Sequence, residues 1–416
     1  MGPRLERDLP LNLDWMHSPA VEQMFRVLGA PAVDVRLVGG CVRNAVMGLP
    51  IEDIDVGTPE IPDAVVARCT KAGVRVIPTG IEHGTVTLLI GDRSFEVTSL
   101  RRDTACDGRH ADVEFTTDWA EDARRRDLTI NAMSVRPDGA LFDFFGGKED
   151  ALAGRVRFVG DPADRIQEDY LRILRLFRFF ASFGRADIEP ATLVACRVHA
   201  QGLLRLSAER IQAELVKILA SSDPAPALAI MRDCGVLGVA LPEARDLTLL
   251  SLLSAIERAA IAPPDWRRRL SACIDADDAE PLARRLKLSS ADGLRLVRLT
   301  AVAPRVDDAT SRVDLRAALY RFGPDVIRDR ILLGWVRART LASSDDAAWR
   351  SRLALVADWH PQSMPVSGAD VLALGIPQGP VVGELLSAVE SWWMARDFAP
   401  SREDALTELH RLAQKR

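Results

Sequence analysis

No run of about 18 apolar residues occurs in this 416-residue chain, so the sequence offers no membrane-spanning helix. The stretch Met1 to Asp14 lacks the basic start and apolar core of a signal peptide, and the expectation is a soluble cytoplasmic protein with no membrane contact. Cysteine is scarce. The six residues Cys41, Cys69, Cys106, Cys196, Cys234 and Cys273 are far apart and form no C-x-x-C pair, which argues against a zinc site or redox motif and leaves them as small core side chains. Lysine is scarcer still, five residues against 49 arginines, and we read this as codon bias rather than chemistry. The G-x-x-x-x-G-K-[ST] loop of P-loop NTPases is missing, and no internal repeat is evident.

What remains is ordinary globular composition, 48% hydrophobic and 27% charged, in a length sufficient for two or three domains with their own cores. The formal net charge of −5 excludes a surface coated in basic charge, so any nucleic-acid contact has to come from local patches. Strand-like segments concentrate in the first 150 residues: Val35 to Val38, Ile51 to Val56, Val74 to Pro78, Thr85 to Ile90, Ser94 to Ser99, Asp112 to Thr116, Ala132 to Val135 and Leu141 to Phe144. From about Leu152 onward, apolar residues recur at three- and four-residue spacing, broken by Pro and Gly. The expected fold class is an α/β head followed by an all-α remainder.

In Leu37-Val38-Gly39-Gly40-Cys41-Val42-Arg43 a short apolar strand runs into two glycines and then a helical stretch ending at Gly48. Such a turn lets the backbone approach a ligand, and the helix start offers free N–H groups to a phosphate. Arg43 adds a permanent cation. Asp53 follows in Ile51-Glu52-Asp53-Ile54-Asp55-Val56, read as a strand whose alternation puts Asp53 and Asp55 on one face. Same-face carboxylates can share hard cations, and phosphoryl transfer uses two magnesium ions about 4 Å apart bridged by carboxylates. The spacing alone is weak evidence, because Asp275-Ala276-Asp277 repeats it with no strand or glycine turn. Glu96, between Phe95 and Val97 in another alternating strand, is either a third carboxylate ligand or an exposed strand residue.

The segment from Arg165 to Phe180 reads as one helix whose Ile, Leu and Phe side chains point nearly all round the axis, the mark of burial on most sides. Yet Asp169, Arg172, Arg175 and Arg178 recur every three residues, a row extending roughly 13 Å, about the length of a nucleoside triphosphate. Buried charges must be paired, so the row is either an internal ion-pair ladder or the lining of a ligand cleft. Asp169 offers acceptors and Arg172 donors, a combination suited to the Watson-Crick edge of a base.

Taken together, these segments resemble the class II tRNA nucleotidyltransferase and bacterial poly(A) polymerase family, a branch of the DNA polymerase beta-like nucleotidyltransferases. Gly39-Gly40-Cys41-Val42-Arg43 through Asp53-Ile54-Asp55 is similar to the first motif, which implies that Asp53 and Asp55 bind Mg2+. Arg125-Arg126-Asp127-Leu128-Thr129-Ile130-Asn131-Ala132 resembles the second, which contacts ribose and triphosphate. Asp143-Phe144-Phe145-Gly146-Gly147 resembles the hinge between head and neck. Glu168-Asp169-Tyr170-Leu171-Arg172 resembles the motif whose Asp and Arg act as a protein template for the incoming base. Ser207-Ala208-Glu209-Arg210-Ile211 with Glu214-Leu215 resembles the motif that steadies the templating helix. Asn44 stands where Asp is usual and Leu128 where Phe is usual. Arg101 to Phe115 resembles the flexible loop that helps switch from C to A addition, with Ala105 and His110 departing from its pattern. No adjacent His-Asp pair occurs, so the phosphohydrolase domain of some members is not expected.

The resemblance implies a nucleotidyltransferase head over 1–150, a base-recognising helical neck over 151–222 and an RNA-binding body and tail over 223–416. The expected activity is template-independent addition of CCA to the tRNA 3′ end from CTP and ATP. Asp53, Asp55 and Glu96 are the expected catalytic carboxylates, and Gly40, Arg43, Arg126, Asp127, Asn131, Asp169, Arg172, Arg175 and Arg178 the expected nucleotide-binding set. A poly(A) polymerase, or an enzyme adding only CC or only A, shares the same motifs. A silent RNA-binding protein is disfavoured by the intact carboxylate and arginine set, and a small-molecule transferase by the long helical body.

Overall fold

The computed structural model describes residues 4–6, 13–106, 111–301, 304–341 and 345–415. The chain divides into two compact units, Met1–Pro242 and Glu243–Arg416.

In the first unit eight strands form one mixed sheet, ordered β1 (Arg4–Glu6), β10 (Leu141–Asp143), β9 (Ser134–Val135), β2 (Arg36–Val38), β3 (Asp55–Thr58), β6 (Arg93–Ser99), β5 (Thr85–Ile90) and β4 (Arg75–Gly80). All neighbours are antiparallel except β3 and β6, which run parallel with Asp55 opposite Glu96. Alternation sets the faces: Val86, Leu88 and Ile90 of β5 and Phe95 and Val97 of β6 are buried, while Glu96 is exposed. The strand expected from Ile51 begins only at Asp55. Its antiparallel partner β2 ends at Val38, opposite Asp55, where Gly39 turns the chain away, so Asp53 and Ile54 have no residue to pair with on that side.

The segment Arg101 to Phe115, expected as a flexible loop with a strand from Asp112, contains two paired strands outside the main sheet, β7 (Arg101–Cys106) and β8 (Ala111–Phe115). Its residues 107–110, His110 among them, lie outside the described part.

Five α-helices among the described residues accompany the sheet: α1 (Pro19–Val27), α2 (Gly40–Met47), α3 (Pro62–Lys71), α4 (Trp119–Arg124) and α5 (Gly147–Ala153). Asp143 accepts from the N–H groups of Phe145, Gly147 and Lys148 at 3.0–3.1 Å, satisfying the orphan donors where α5 begins. At Gly147 a Cβ would lie 2.1 Å from the Thr129 carbonyl oxygen, so only glycine fits there. Helices α6 (Pro162–Glu168), α7 (Leu171–Phe183), α8 (Pro190–His199), α9 (Ala208–Leu219), α10 (Ala225–Asp233) and α11 (Leu237–Ala240) follow.

The single helix expected over Arg165 to Phe180 is therefore two, broken at Asp169-Tyr170. Asp169 adopts an extended backbone, φ −154° and ψ 109°, and its carboxylate accepts from the Leu171 N–H at 3.0 Å. An aspartate that caps the next helix competes with continuation of the previous one.

The second unit holds ten α-helices among its described residues, between Thr248 and Gln414. Trp335 and Trp349 are fully buried in its larger core. Beside them Arg268 bridges Glu257 and Asp329 at 2.7 Å each, so buried charges there neutralise one another. No helix among the described residues is long and apolar enough to cross a membrane.

Candidate active site

Gly39 has a φ of 71°, left-handed backbone that favours glycine, and a Cβ there would sit 3.3 Å from Arg126 Nη1 and 3.6 Å from Asp55 Oδ2. The turn thus brings the start of α2 against both groups. Around it opens a cleft of about 460 Å³, lined by Gly39, Gly40, Arg43, Asp55, Arg125, Arg126, Asp127, Asn131, Asp169, Leu171, Arg172, Arg175, Phe179 and Arg210. Nine of the expected site residues line it; Asp53, Glu96 and Arg178 do not.

Asp55 is half-buried at the first position of β3. Burial pushes its carboxyl above the usual range, the charges of Glu96 and Asp53 push the same way, and Arg126 and Arg43 oppose them. Among the described residues nothing donates a hydrogen bond to the side chains of Asp53, Asp55 or Glu96. No three His, Cys, Asp or Glu side chains among them converge on one metal position. What the place has is hard oxygen donors and an excess of negative charge, which fits a divalent cation. Asp53 is exposed and reaches this place through its charge on Asp55 rather than through the cleft wall.

Cations dominate the rest of the cleft and its surroundings, and all but one have a carboxylate. Arg125 and Arg126 share Asp122, at 2.7 and 3.2 Å. Arg175 donates to Asp127 at 2.6 Å, Arg178 to Glu214 at 3.0 Å, Arg210 to Asp169 at 2.7 Å, and Arg172 to Glu168. Burial raises the Asp127 and Asp122 carboxyls, yet their arginine partners win and hold both below the usual range, so both are ionised at neutral pH. Arg43 differs. Its partners are neutral: the Asn131 side-chain oxygen at 2.7 Å and the Asn44 side-chain oxygen at 2.8 Å, with the Phe179 and Phe183 rings 5.2 and 4.8 Å away. Burial and the nearby Arg178 lower its pKa to about 10, leaving it charged and without a carboxylate partner among the described residues.

The charged row of the neck is both an ion-pair ladder and a cleft lining. Arg172 is clamped by the carbonyls of Arg165 and Arg125 at 3.1 and 3.0 Å. Asp127 also accepts from its neighbour's backbone, the Leu128 N–H, at 2.8 Å and from Asn131 at 3.3 Å, so the Arg-Arg-Asp segment is bound to α7 through Arg175. Arg178 is not part of the cleft lining; it donates to Glu214 and so ties α7 to α9.

Asp122 and Phe179 fall in none of the motifs read from the sequence, whereas Arg125 and Arg210 lie in the segments that resemble the triphosphate-contacting and helix-steadying motifs. Asp122 stands three and four residues before Arg125 and Arg126, a helical spacing that could have revealed it. The pairing of Arg210 with Asp169 leaves no local trace, because the partners meet only through the packing of α7 on α9.

Residues 35–157 match the family described as "Poly A polymerase head domain", and residues 187–247 match "Probable RNA and SrmB- binding site of polymerase A". The mitochondrial CCA tRNA nucleotidyltransferase 1 of Danio rerio is 36% identical over 90% of this chain and 87% of its own. The CCA-adding enzyme of Limosilactobacillus fermentum is 31% identical over 85% of this chain and 86% of its own. The crystal structure of the Bacillus stearothermophilus CCA-adding enzyme in complex with CTP superposes with a TM-score of 0.77, at 25% identity, covering 96% of this chain and 98% of that one. Such a nucleotidyltransferase head implies a divalent metal ion. The chain belongs to the family of CCA-adding tRNA nucleotidyltransferases and poly(A) polymerases.

Proposed function

We infer that this protein adds CCA to the 3′ end of tRNA from CTP and ATP, choosing bases with protein side chains instead of a template strand. The observation that carries this reading is the placement of Asp169 and Arg172 in one cleft with Asp55, Arg43 and Arg126. Cytosine and adenine each offer an amino donor beside a ring-nitrogen acceptor, whereas uracil and guanine present a carbonyl beside an N–H. An acceptor from Asp169 and donors from Arg172 suit the first pattern and leave groups unpaired against the second.

In the reaction the tRNA 3′-hydroxyl oxygen attacks the α-phosphorus, the bond to the β-phosphate oxygen breaks, and pyrophosphate leaves. Arg43, Arg126 and the N–H groups at the start of α2, from Gly40 onward, receive the polyphosphate. Asp127, Asn131 and Arg175 hold the ribose and phosphate side of the nucleotide in register, and Arg178 fixes α7 behind them. Asp53 and Asp55, with Glu96 beside them, would hold magnesium, which supplies charge neutralisation and activation of the attacking hydroxyl. We assign residues 1–150 to the catalytic head, 151–222 to base recognition and 223–416 to RNA binding. We place the enzyme in the cytoplasm, although the name of the animal relative is mitochondrial.

A poly(A) polymerase is the second reading, favoured by the match of residues 35–157 to the head domain of that description. Incubating the protein with tRNA ending at its discriminator base, magnesium, and CTP and ATP separately and together, then sequencing the 3′ ends, tests the proposal. CC from CTP alone and CCA from both support it; adenosine tails from ATP alone replace it.

A further inference from the structure

Asp122 lies in the first turn of α4, outside the cleft lining, with 4% of its side chain exposed. Its Oδ1 accepts from Arg125 Nε and Nη2 at 2.9 and 2.7 Å, and its Oδ2 from Arg126 Nε and Nη2 at 3.3 and 3.2 Å. Both arginines line the cleft. Each carboxylate oxygen thus fixes one planar fork, and a fork held at two nitrogens has little rotational freedom left. The same Arg125 accepts from Arg172 Nη2 through its carbonyl at 3.0 Å. One buried carboxylate therefore lies behind both the phosphate-facing arginines and the arginine that faces the base.

We propose that Asp122 is a positioning residue of the transfer reaction, holding Arg125 and Arg126 in the orientation the nucleotide polyphosphate requires and, through the Arg125 peptide, steadying Arg172. This rests on the nucleotide-adding function inferred above. Removing the carboxylate would not make the cleft less positive; it releases two cations that remain close enough to attract phosphates. What is lost is their alignment when charge redistributes onto the leaving pyrophosphate, and interactions made only there appear in kcat rather than in ground-state binding. A carboxylate that merely stabilised α4 would do the opposite, lowering thermal stability and leaving kcat per folded molecule unchanged.

The test uses the full-length chain, truncated tRNA and magnesium. Asp122→Asn keeps the shape and removes the charge. Its kcat for CTP addition is expected to fall at least about tenfold, while the Kd for CTP, measured by equilibrium binding, weakens by less than about threefold and UTP incorporation relative to CTP increases. Asp122→Glu keeps the charge but displaces it by one methylene, so it should lose kcat as well, and it serves if the asparagine variant does not fold. A kcat within about threefold of wild type in either folded variant overturns the proposal. Wild-type protein that extends no tRNA would remove the underlying function; an active wild type with unaffected variants removes only the role of Asp122.

Discussion

Arg210 donates to the Asp169 carboxylate at 2.7 Å across 41 positions of sequence, tying α9 to the break between α6 and α7. The other oxygen of Asp169 caps the Leu171 N–H at 3.0 Å. A carboxylate has about four lone-pair sites, so two partners fix its plane and leave acceptor capacity for the amino group of a base. Asp169→Ala or Arg172→Ala should therefore relax discrimination against UTP and GTP by at least about tenfold, ~1.4 kcal/mol. Arg210→Gln should relax it less, because the cap remains. Single-nucleotide incorporation measured for all four triphosphates checks this; unchanged preference for CTP and ATP in both alanine variants refutes the protein-template idea.

Asp55 carries a cost that its function explains. Because burial and Glu96 raise its folded pKa above the unfolded value, ionised Asp55 opposes folding at neutral pH, and that cost fades as pH falls through the folded pKa. Asp55→Asn should accordingly leave Tm unchanged or higher without metal, yet lower transfer at least about 100-fold, ~2.7 kcal/mol of barrier. Asp53→Ala should also abolish transfer with the fold intact. At low magnesium, where proton and cation compete for this carboxylate, wild-type activity should decline on acidification at a higher pH than an ordinary carboxylate would give, and added magnesium should move the decline to lower pH. Thermal melts with and without magnesium, beside a pH profile, read out all of this.

Arg43 is charged and has only neutral partners, because Asn44 supplies an amide oxygen where a carboxylate is usual in the family. A cation without a carboxylate partner is what a polyphosphate should seek. We expect Arg43→Gln to raise KM for CTP and ATP about tenfold and Asn44→Asp, which adds a competing partner, to raise it about threefold. Asn44→Ala removes the same donor to the Pro50 carbonyl without adding charge, so a KM increase equal to that of Asn44→Asp would point to lost structure instead.

The parts of the site that were legible in the sequence are those written in short-range chemistry. Gly39-Gly40, Arg43, Asp55, Arg126 and Asp169 with Arg172 carry recognisable residue types at fixed local spacing, and the structure gathers all of them around one cleft. Asp53 precedes β3 instead of lying on it, because alternation reports side-chain pattern and not pairing; β2 is too short to extend the ladder to it. The helix break at Asp169 was missed because apolar periodicity is blind to a capping carboxylate. Asp122 falls in no recognisable motif because its importance lies in the two arginines it holds, and Arg210, though part of the helix-steadying motif, meets its partner Asp169 only through tertiary packing.

Arg178 and Glu214 test the neck itself. Their side chains are 14% and 5% exposed, so Arg178→Met leaves a buried carboxylate unpaired and should cost about 3–5 kcal/mol. Arg178→Met with Glu214→Leu should recover much of that loss, since removing both charges avoids the uncompensated one. Equal Tm values for the single and double variants would contradict this pairing.

What separates CCA addition from adenosine tailing is a finite product set by protein side chains. Its most direct test offers CTP and ATP together, with magnesium, to tRNA truncated at the discriminator base and, in parallel, to an unstructured RNA, and measures product length and sequence. A CCA-adding enzyme extends the tRNA by three nucleotides reading CCA, with little extension of the unstructured RNA. Adenosine tails of tens of residues on either RNA would contradict CCA addition.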